Sequence, residues 1–162
     1  MLHIAYAPVS GTTGHEAGRE LLAELYRSVT GKPLPPIAIA DRGKPYFPTA
    51  PLHFSVTHTQ HHTFCALSDT PVGIDAEEID RQINLKLADK ILSPYEKEQF
   101  DAAQDPRLAL LTFWVLKEAA GKCSGAGING YPIHTHFTLD DPRVTIEHGC
   151  LLAVIQEENH AL

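Results

Sequence analysis

Long hydrophobic runs are missing from this sequence of 162 residues. No apolar stretch approaches the roughly 18 to 20 residues that span a bilayer. The first ten residues have neither a basic start nor the apolar core of a signal peptide. These absences predict a soluble, cytoplasmic protein with no membrane partner.

Positive charge and cysteine are also scarce. Lys and Arg total 13 against 20 Asp and Glu, which gives a formal net charge of −7. Nucleic-acid binding needs a basic surface, so we predict no nucleic-acid partner, although a local group of lysines could still bind an anion.

The three cysteines, Cys65, Cys123 and Cys150, are odd in number and have no paired spacing. They predict reduced thiols rather than a disulfide framework.

The first half of the chain has the pattern of a small α+β unit. Composition is ordinary for a globular protein, with 43% apolar and 20% charged residues. A strand is predicted over residues 2–7, and a capping-box pattern at Thr13 opens a helix that Gly31 ends. The Pro-rich segment 31–51 predicts loop or edge structure, and residues 52–68 predict a β-hairpin.

The second half repeats this order. It begins with a strand-like segment at 71–77. Three helices are predicted next: one over 84–92, one that begins at Ser93-Pro94, and one that begins at Asp105-Pro106 and ends at Gly125. Strands are then predicted over 137–139, 143–147 and 151–156. His53-Phe54 and His136-Phe137 occupy similar places in the two halves. We therefore predict an α+β fold of two similar lobes, residues 1–70 and 71–162, with a ligand cleft between them.

The helix that begins at Pro106 is apolar over most of its circumference but has charged residues on one stripe. Trp114, Lys117, Glu118, Gly121 and Lys122 share that stripe, and Glu118 lies one turn from Lys122. Charged groups on an apolar helix are unfavourable unless they are paired or bind a ligand. The alternative is an amphipathic helix whose charged face is only solvated.

Two acidic residues in the strand-like segment GIDAE predict a cation site. Asp75 and Glu77 are two residues apart, so a strand places both on one face, where their charges repel. A divalent metal such as Mg²⁺ would relieve the repulsion and bridge to phosphates. Exposed acids at a strand end are the alternative, and nearby Glu78 and Asp80 favour it.

Two further segments predict an anion site. Lys44 precedes Pro45 in a turn, and Thr57-His58 follows a predicted strand, so these groups could donate hydrogen bonds to a phosphate. A purely structural turn is the alternative. The same region also contains histidines and a cysteine that could bind Zn²⁺, with His53 nearby: His58, His61, His62 and Cys65. Their spacing fits no familiar zinc finger, so we do not favour a zinc site here.

Four segments, in this order, resemble the 4′-phosphopantetheinyl transferase superfamily: Gly43-Lys44-Pro45, residues 54–59 (FSVTHT), residues 73–77 (GIDAE) and residues 113–122 (FWVLKEAAGK). The layout is similar to the larger, pseudo-dimeric, surfactin-synthetase-activating type, with a shortened N-terminal lobe. The resemblance implies two α+β lobes related by a pseudo-two-fold axis, coenzyme A and a metal between them, and a monomeric protein.

The resemblance also implies roles for the acidic and basic residues of the second half. Asp75, Glu77 and Glu118 resemble the metal ligands, with Mg²⁺ expected and Mn²⁺ as an alternative. Lys117 and Lys122 resemble lysines near the pyrophosphate. Glu118 is then the expected general base, and Lys122 would stabilise the leaving 3′,5′-ADP.

In the first half, the resemblance implies contacts to the nucleotide end of coenzyme A. Lys44, Pro45, Thr57 and His58 resemble the group around the 3′-phosphate, and Arg19 in the first helix is a further candidate.

The activity that the resemblance implies is transfer of the 4′-phosphopantetheine arm of coenzyme A to a serine of an apo acyl or peptidyl carrier protein. Two alternatives stay open: a non-catalytic coenzyme A-binding module of the same fold, and a metal-dependent phosphohydrolase that uses the same acids.

Overall fold

The first helix begins and ends where its sequence signals predict. The computed structural model describes residues 1–127 and 135–158, and in it strand β1, Leu2–Pro8, precedes helix α1, Gly14–Thr30. The Thr13 hydroxyl accepts a hydrogen bond from the Glu16 backbone N–H, and Gly31, at φ 72°, ends the helix. Only half of the predicted capping box forms, because the Glu16 carboxylate accepts its hydrogen bond from the Thr12 hydroxyl.

The predicted hairpin completes the first sheet. Short strands β2, Ala38–Ile39, and β3, Pro45–Tyr46, pair with each other in the Pro-rich segment, and β4, His53–His58, pairs with β5, His62–Ser68. Strand β1 also pairs with β5, so the antiparallel sheet has the order β1-β5-β4. Apolar residues of α1 and of this sheet form one core, among them Leu22, Tyr26, Phe54 and Leu67.

The second half forms another antiparallel sheet. Its elements are β6, Val72–Glu78; a 3₁₀ turn, Leu85–Leu87; α2, Ala88–Ile91; α3, Pro94–Ala102; α4, Pro106–Ser124; β7, Val144–Glu147; and β8, Cys150–Gln156. The strand order is β6-β8-β7, and α4 packs on β6 and β8. Within the described residues the protein is thus of mixed α+β class.

The two sheets meet along β4 and β6 through side-chain hydroxyl groups. Ser55 Oγ accepts a hydrogen bond from the Ile74 backbone N–H at 3.1 Å, and Thr57 Oγ1 accepts one from the Ala76 N–H at 3.2 Å. These bonds satisfy backbone donors of β6 that would otherwise be buried and unpaired. The result is a fixed seam that sets β6 beside β4.

The predicted strand over residues 137–139 is wrong. Side chains of α3 hold this backbone instead: the Phe137 N–H donates to Glu96 Oε2, while Gln99 accepts from the Leu139 N–H and donates to the Phe137 carbonyl. The backbone groups that would form a ladder are therefore already used. His136-Phe137 consequently does not match His53-Phe54 as a strand.

The described helices are too short or too polar to cross a bilayer: none in residues 1–127 or 135–158 combines the necessary length with the necessary apolar character.

Candidate functional site

A cleft lies between α4 and the seam of β4 and β6. It consists of two adjoining cavities of about 320 and about 270 Å³, and Val56, Glu118 and Lys122 line both. The larger cavity contains the predicted acidic residues, and the smaller one contains the Gly-Lys-Pro turn. We call the two cavities together the cleft.

Three carboxylates line the larger cavity. Asp75 and Glu77 are on one face of β6, as their spacing predicts, and Glu118 comes from α4. The Glu77 carboxylate also accepts a hydrogen bond from Arg81, which follows the end of β6. The structure therefore brings together the three acids that the family resemblance assigns to a metal.

Asp75 is buried in an environment that disfavours its charge. Burial raises the pKa of its carboxyl group to about 7; the Lys122 ammonium opposes this rise, and Glu118 and Glu77 add to it. Within the part of the chain that the structure describes, its Oδ2 atom is buried and has no hydrogen-bond partner. Such an atom is unfavourable unless a further ligand satisfies it.

The donor set fits a hard divalent cation. Mg²⁺ prefers oxygen ligands and is commonly held by a few carboxylates together with substrate phosphates. Asp75 Oδ2 offers an oxygen without a partner, and Glu77 and Glu118 offer carboxylates in the same cavity. Burial also raises the pKa of Glu118, with Lys122 opposing and Glu77 adding to the rise. A cation would relieve the repulsion that these carboxylates share.

Lys122 supplies a positive charge beside Asp75, while Arg81 pairs with Glu77. Its Nζ donates to the Ile74 carbonyl at 3.0 Å, to Asp75 Oδ1 at 3.3 Å and to the Val56 carbonyl at 3.4 Å. Because the side chain is about one-third exposed, its ammonium also faces the cleft. Lys122 can therefore meet an anionic ligand while it neutralises Asp75.

Thr57 and His58 are the last two residues of β4, and both line the larger cavity. Thr57 is buried and donates to Asp75 Oδ1 at 3.4 Å, so it orients the acid. His58 is exposed and lies against the first turn of α1, where a Cβ added at Gly14 would be 2.2 Å from His58 Nδ1. The glycine therefore leaves room for the imidazole at the rim of the cleft.

Lys44 and Pro45 line the smaller cavity. The Lys44 ammonium donates to the Cys123 carbonyl at 2.8 Å, near the carboxyl end of α4. Burial lowers the pKa of Lys44, an effect that the neighbouring Cys123 and Glu157 oppose. The structure thus places the turn at the cleft, and it also gives Lys44 a structural contact with α4.

Lys117 does not face the cleft. Its ammonium is buried, lies 2.7 Å from Glu96 Oε1 and donates to Thr135 Oγ1 at 2.5 Å. Burial by itself raises the pKa of Glu96, but the hydrogen bonds from Lys117, the Ser93 backbone and Thr135, together with the Lys117 charge, outweigh burial, and the pKa lies below its ordinary value. Of the charged residues predicted on one stripe of α4, Glu118 and Lys122 therefore line the cleft, whereas Lys117 forms a buried ion pair.

Arg19 does not line the cleft, and the histidines and cysteine of the hairpin do not form a shared metal site. Arg19 is half-buried on α1 and is not among the described residues that line either cavity. Cys65 is fully buried in the core of the first sheet, whereas His58 lies at the cleft. The sequence already disfavoured a zinc site around the hairpin. Strand alternation places His62 on the opposite face of β5 from Cys65, and among the described residues no three members of this set form a metal-ligating group.

Sequence reasoning missed two residues that position the site. Ser55 joins the two sheets, and Gly73 lets α4 approach β6 so closely that an added Cβ would lie 1.8 Å from the Ala119 carbonyl oxygen. That approach brings Glu118 opposite Asp75. The sequence does contain a signal for Gly73. It is a glycine within a predicted strand, two residues before Asp75, and a glycine in a strand often marks a close approach of another backbone.

Comparison with known sequences shows the family of the chain. The sequence model of the 4′-phosphopantetheinyl transferase superfamily matches residues 71–158, which hold all three carboxylates. The chain belongs to this superfamily.

Individual superfamily members are similar over a longer part of the chain. The 4′-phosphopantetheinyl transferase of Bacillus subtilis is 29% identical over 114 residues, covering 67% of this chain and 50% of that protein. Enterobactin synthase component D of Escherichia coli (strain K12) is 34% identical over 114 residues, covering 69% and 54%. The 4′-phosphopantetheinyl transferase gsp of Aneurinibacillus migulanus is 33% identical over 88 residues, covering 53% and 36%. The chain spans about half the length, or less, of these relatives.

Proposed function

We propose that the protein is a 4′-phosphopantetheinyl transferase. It would transfer the phosphopantetheine arm of coenzyme A to a serine of an apo acyl or peptidyl carrier protein and release 3′,5′-ADP. The observation that carries this proposal is the convergence of Asp75, Glu77 and Glu118 on one cavity, with Asp75 Oδ2 buried and unpartnered among the described residues. Membership of the superfamily supports the reaction class.

Asp75, Glu77 and Glu118 would hold the metal, with Mg²⁺ expected and Mn²⁺ as the alternative. When bound, the ion would neutralise negative charge on the pyrophosphate as the phosphoanhydride bond breaks. Two features of the chain prepare the site: Thr57 donates to one oxygen of Asp75 and leaves the other unused, and Gly73 allows α4 to bring Glu118 close.

Glu118 is the proposed general base. The serine oxygen attacks the phosphorus that carries the pantetheine, the bond from that phosphorus to the ADP oxygen breaks, and the serine proton passes to a carboxylate oxygen of Glu118. In the metal-free cleft, burial raises the pKa of Glu118, and a bound cation would oppose this rise. Base catalysis is most effective when the pKa approaches the working pH.

Lys122 is the proposed stabiliser of the leaving group. Its ammonium reaches the cleft from the same helix as Glu118, one turn away. Charge placed in advance where negative charge develops is a major source of rate enhancement. We leave Lys117 out of the transfer chemistry because its ammonium is engaged with Glu96 and Thr135.

Lys44, Pro45 and His58 are proposed to hold the nucleotide end of coenzyme A. Lys44 and Pro45 line the smaller cavity, while His58 lines the larger one beside Thr57. A ligand with phosphates at both ends of a ribose could therefore contact both cavities along the cleft. Arg19 stays a prediction from the sequence.

We further propose that the chain consists of two lobes, residues 1–70 and 71–162, related by a pseudo-two-fold axis. The strand orders β1-β5-β4 and β6-β8-β7 support this, because in each sheet the last strand along the chain lies in the centre. A cleft formed between lobes of one chain needs no second copy, so we expect a monomer. The carrier protein would approach from solvent on the Glu118 side of the cleft.

The proposal is tested by incubating the protein with coenzyme A and Mg²⁺, with and without an apo carrier protein, and separating the nucleotides by chromatography. We expect 3′,5′-ADP only when the carrier is present. Release without carrier would instead identify a phosphohydrolase, and coenzyme A binding without any release would identify a binding module. Either result overturns the proposal.

A matched pair of variants ties the activity to the carboxylates. Asp75→Asn removes a buried metal ligand while keeping the side-chain shape, whereas Glu147→Gln removes an exposed carboxylate from the same sheet. We expect the first variant to lose ADP release at least about 100-fold and the second to keep it. Mg²⁺ should raise the melting temperature of wild type and Glu147→Gln but not of Asp75→Asn, because only a bound ion stabilises the folded state.

A further inference from the structure

A second group of metal-ligating side chains lies away from the cleft. His62 opens β5, Glu78 ends β6 and Cys150 opens β8, and one ligand atom from each lies within 4.8 Å of the other two. Glu78 and Cys150 are directly paired across β6 and β8. Because strand side chains alternate, Glu78 is on the opposite face of β6 from Asp75 and Glu77.

We propose that His62, Glu78 and Cys150 form a site for Zn²⁺ or another thiophilic divalent cation. Imidazole nitrogen, thiolate sulfur and carboxylate oxygen are the ligands that zinc uses in proteins. This donor set differs from the all-carboxylate set of the cleft, so the two sites select different metals.

The ligand atoms lie close enough together to share an ion. His62 Nε2 lies 3.9 Å from Glu78 Oε1, and the Cys150 thiol donates a long hydrogen bond of 3.9 Å to Glu78 Oε2. The nitrogen–oxygen distance exceeds that of a hydrogen bond. Bond lengths of about 2.0 to 2.3 Å in a tetrahedral site place the donor atoms about 3.3 to 3.7 Å apart, so a small inward movement completes the coordination.

Neighbouring side chains orient two of the three ligands. The Tyr6 hydroxyl lies 2.8 Å from His62 Nδ1, and when Nδ1 donates to it, Nε2 carries the lone pair that faces Glu78. The Thr59 hydroxyl donates to Glu78 Oε1 at 2.7 Å. Metal sites commonly use such outer partners to fix the tautomer and the rotamer of the ligands.

The site is also accessible. Cys150 is fully buried, whereas the side chains of His62 and Glu78 are partly exposed, so an ion can enter from solvent and keep a water as its fourth ligand. In the metal-free protein, burial, with the Glu78 charge beside it, raises the pKa of Cys150 to about 11. The thiol therefore loses a proton when the metal binds.

Titration of the metal-free protein with Co²⁺ tests the site, because a thiolate–cobalt bond gives a charge-transfer absorption that carboxylates cannot produce. We expect one such site per chain, displaced by Zn²⁺. Cys150→Ala should abolish the absorption, and Cys123→Ala, which removes another buried thiol, should leave it unchanged. Tyr6→Phe should weaken Co²⁺ binding about tenfold.

Circular dichroism establishes that each variant folds. If Cys150→Ala does not fold, His62→Gln replaces it, and we expect at least tenfold weaker binding. The inference is overturned if wild type gives no thiolate–cobalt absorption, if the absorption persists in Cys150→Ala, or if His62→Gln binds Co²⁺ as tightly as wild type.

Discussion

The ammonium nitrogen of Lys122 lies 3.3 Å from Oδ1 of Asp75 and 3.0 Å from the carbonyl oxygen of Ile74. In this position Lys122 neutralises a buried acid and also faces the cleft.

Lys122→Met removes the charge but keeps most of the side-chain volume. We expect kcat to fall about 10²- to 10³-fold with a smaller change in KM, because the lysine acts on charge that develops as the bond breaks. Steady-state kinetics with varied coenzyme A measures both constants; a raised KM with unchanged kcat would contradict the leaving-group role.

Lys117 is expected to stabilise the fold rather than to catalyse. Lys117→Met leaves Glu96 buried without its ion-pair partner, so the free energy of unfolding in urea should fall by about 3 to 5 kcal/mol. Adding Glu96→Leu should recover part of that loss, and the double variant should lose less than the sum of the two single variants.

The double variant also separates the two roles of Lys117. Once stability is restored, we expect its kcat to stay close to that of wild type. If the folded double variant transfers phosphopantetheine far more slowly, Lys117 acts on the substrate, as its place in the sequence motif first predicted.

Lys44 is expected to recognise the 3′-phosphate of coenzyme A. A charged hydrogen bond contributes about 1.5 to 3 kcal/mol, so Lys44→Ala should weaken coenzyme A binding roughly ten- to a hundred-fold and raise KM more than it lowers kcat. Dephospho-coenzyme A, which lacks that phosphate, should bind weakly to wild type and lose little more in the variant. Calorimetric titration with both nucleotides completes the thermodynamic cycle.

The chain supplies its own control for this cycle. Lys32 lies in the other Gly-Lys-Pro sequence and is exposed, so Lys32→Ala should change neither affinity. Equal weakening of both nucleotides by Lys44→Ala would mean that the lysine acts only through its bond to the Cys123 carbonyl.

Gly73→Ala should damage the site without touching a charged residue. The new methyl group would lie 1.8 Å from the Ala119 carbonyl oxygen, so α4 must move away from β6. We expect about 1 to 3 kcal/mol lower stability and a loss of transfer of about 100-fold, because Glu118 and Lys122 move with the helix. Thermal unfolding and transfer assays measure the two effects; full activity in the variant would show that this close approach does not position the catalytic groups.

Local signals in the sequence predicted much of the secondary structure. Caps at Thr13, Ser93 and Asp105 mark the starts of α1, α3 and α4 as expected. Two-residue spacing correctly placed Asp75 and Glu77 together, because the side-chain period of a strand is fixed by backbone geometry. The convergence of these acids with Glu118 followed from the family motifs rather than from any local pattern.

Long-range contacts account for what the sequence did not predict. Helical periodicity put Lys117 on the same stripe as Glu118, but Glu96, 21 positions earlier in the chain, draws it into the interior. The strand expected at residues 137–139 failed because α3 side chains bind its backbone. The group of His62, Glu78 and Cys150 arises from the pairing of β6 with β8 and from the packing of β5 beside β6. The monomeric state and the cytoplasmic location stay predictions.

The carboxylates of the cleft are proposed to make this chain a metal-dependent phosphopantetheinyl transferase. Intact-protein mass spectrometry of several apo carrier proteins, after incubation with coenzyme A and the protein, tests it directly. With wild type and Mg²⁺, we predict that at least one carrier gains the mass of a single phosphopantetheine group on its serine, and that chelation of the metal or Asp75→Asn prevents the gain. Unmodified carriers with wild type, or equal modification by Asp75→Asn, would contradict the claim.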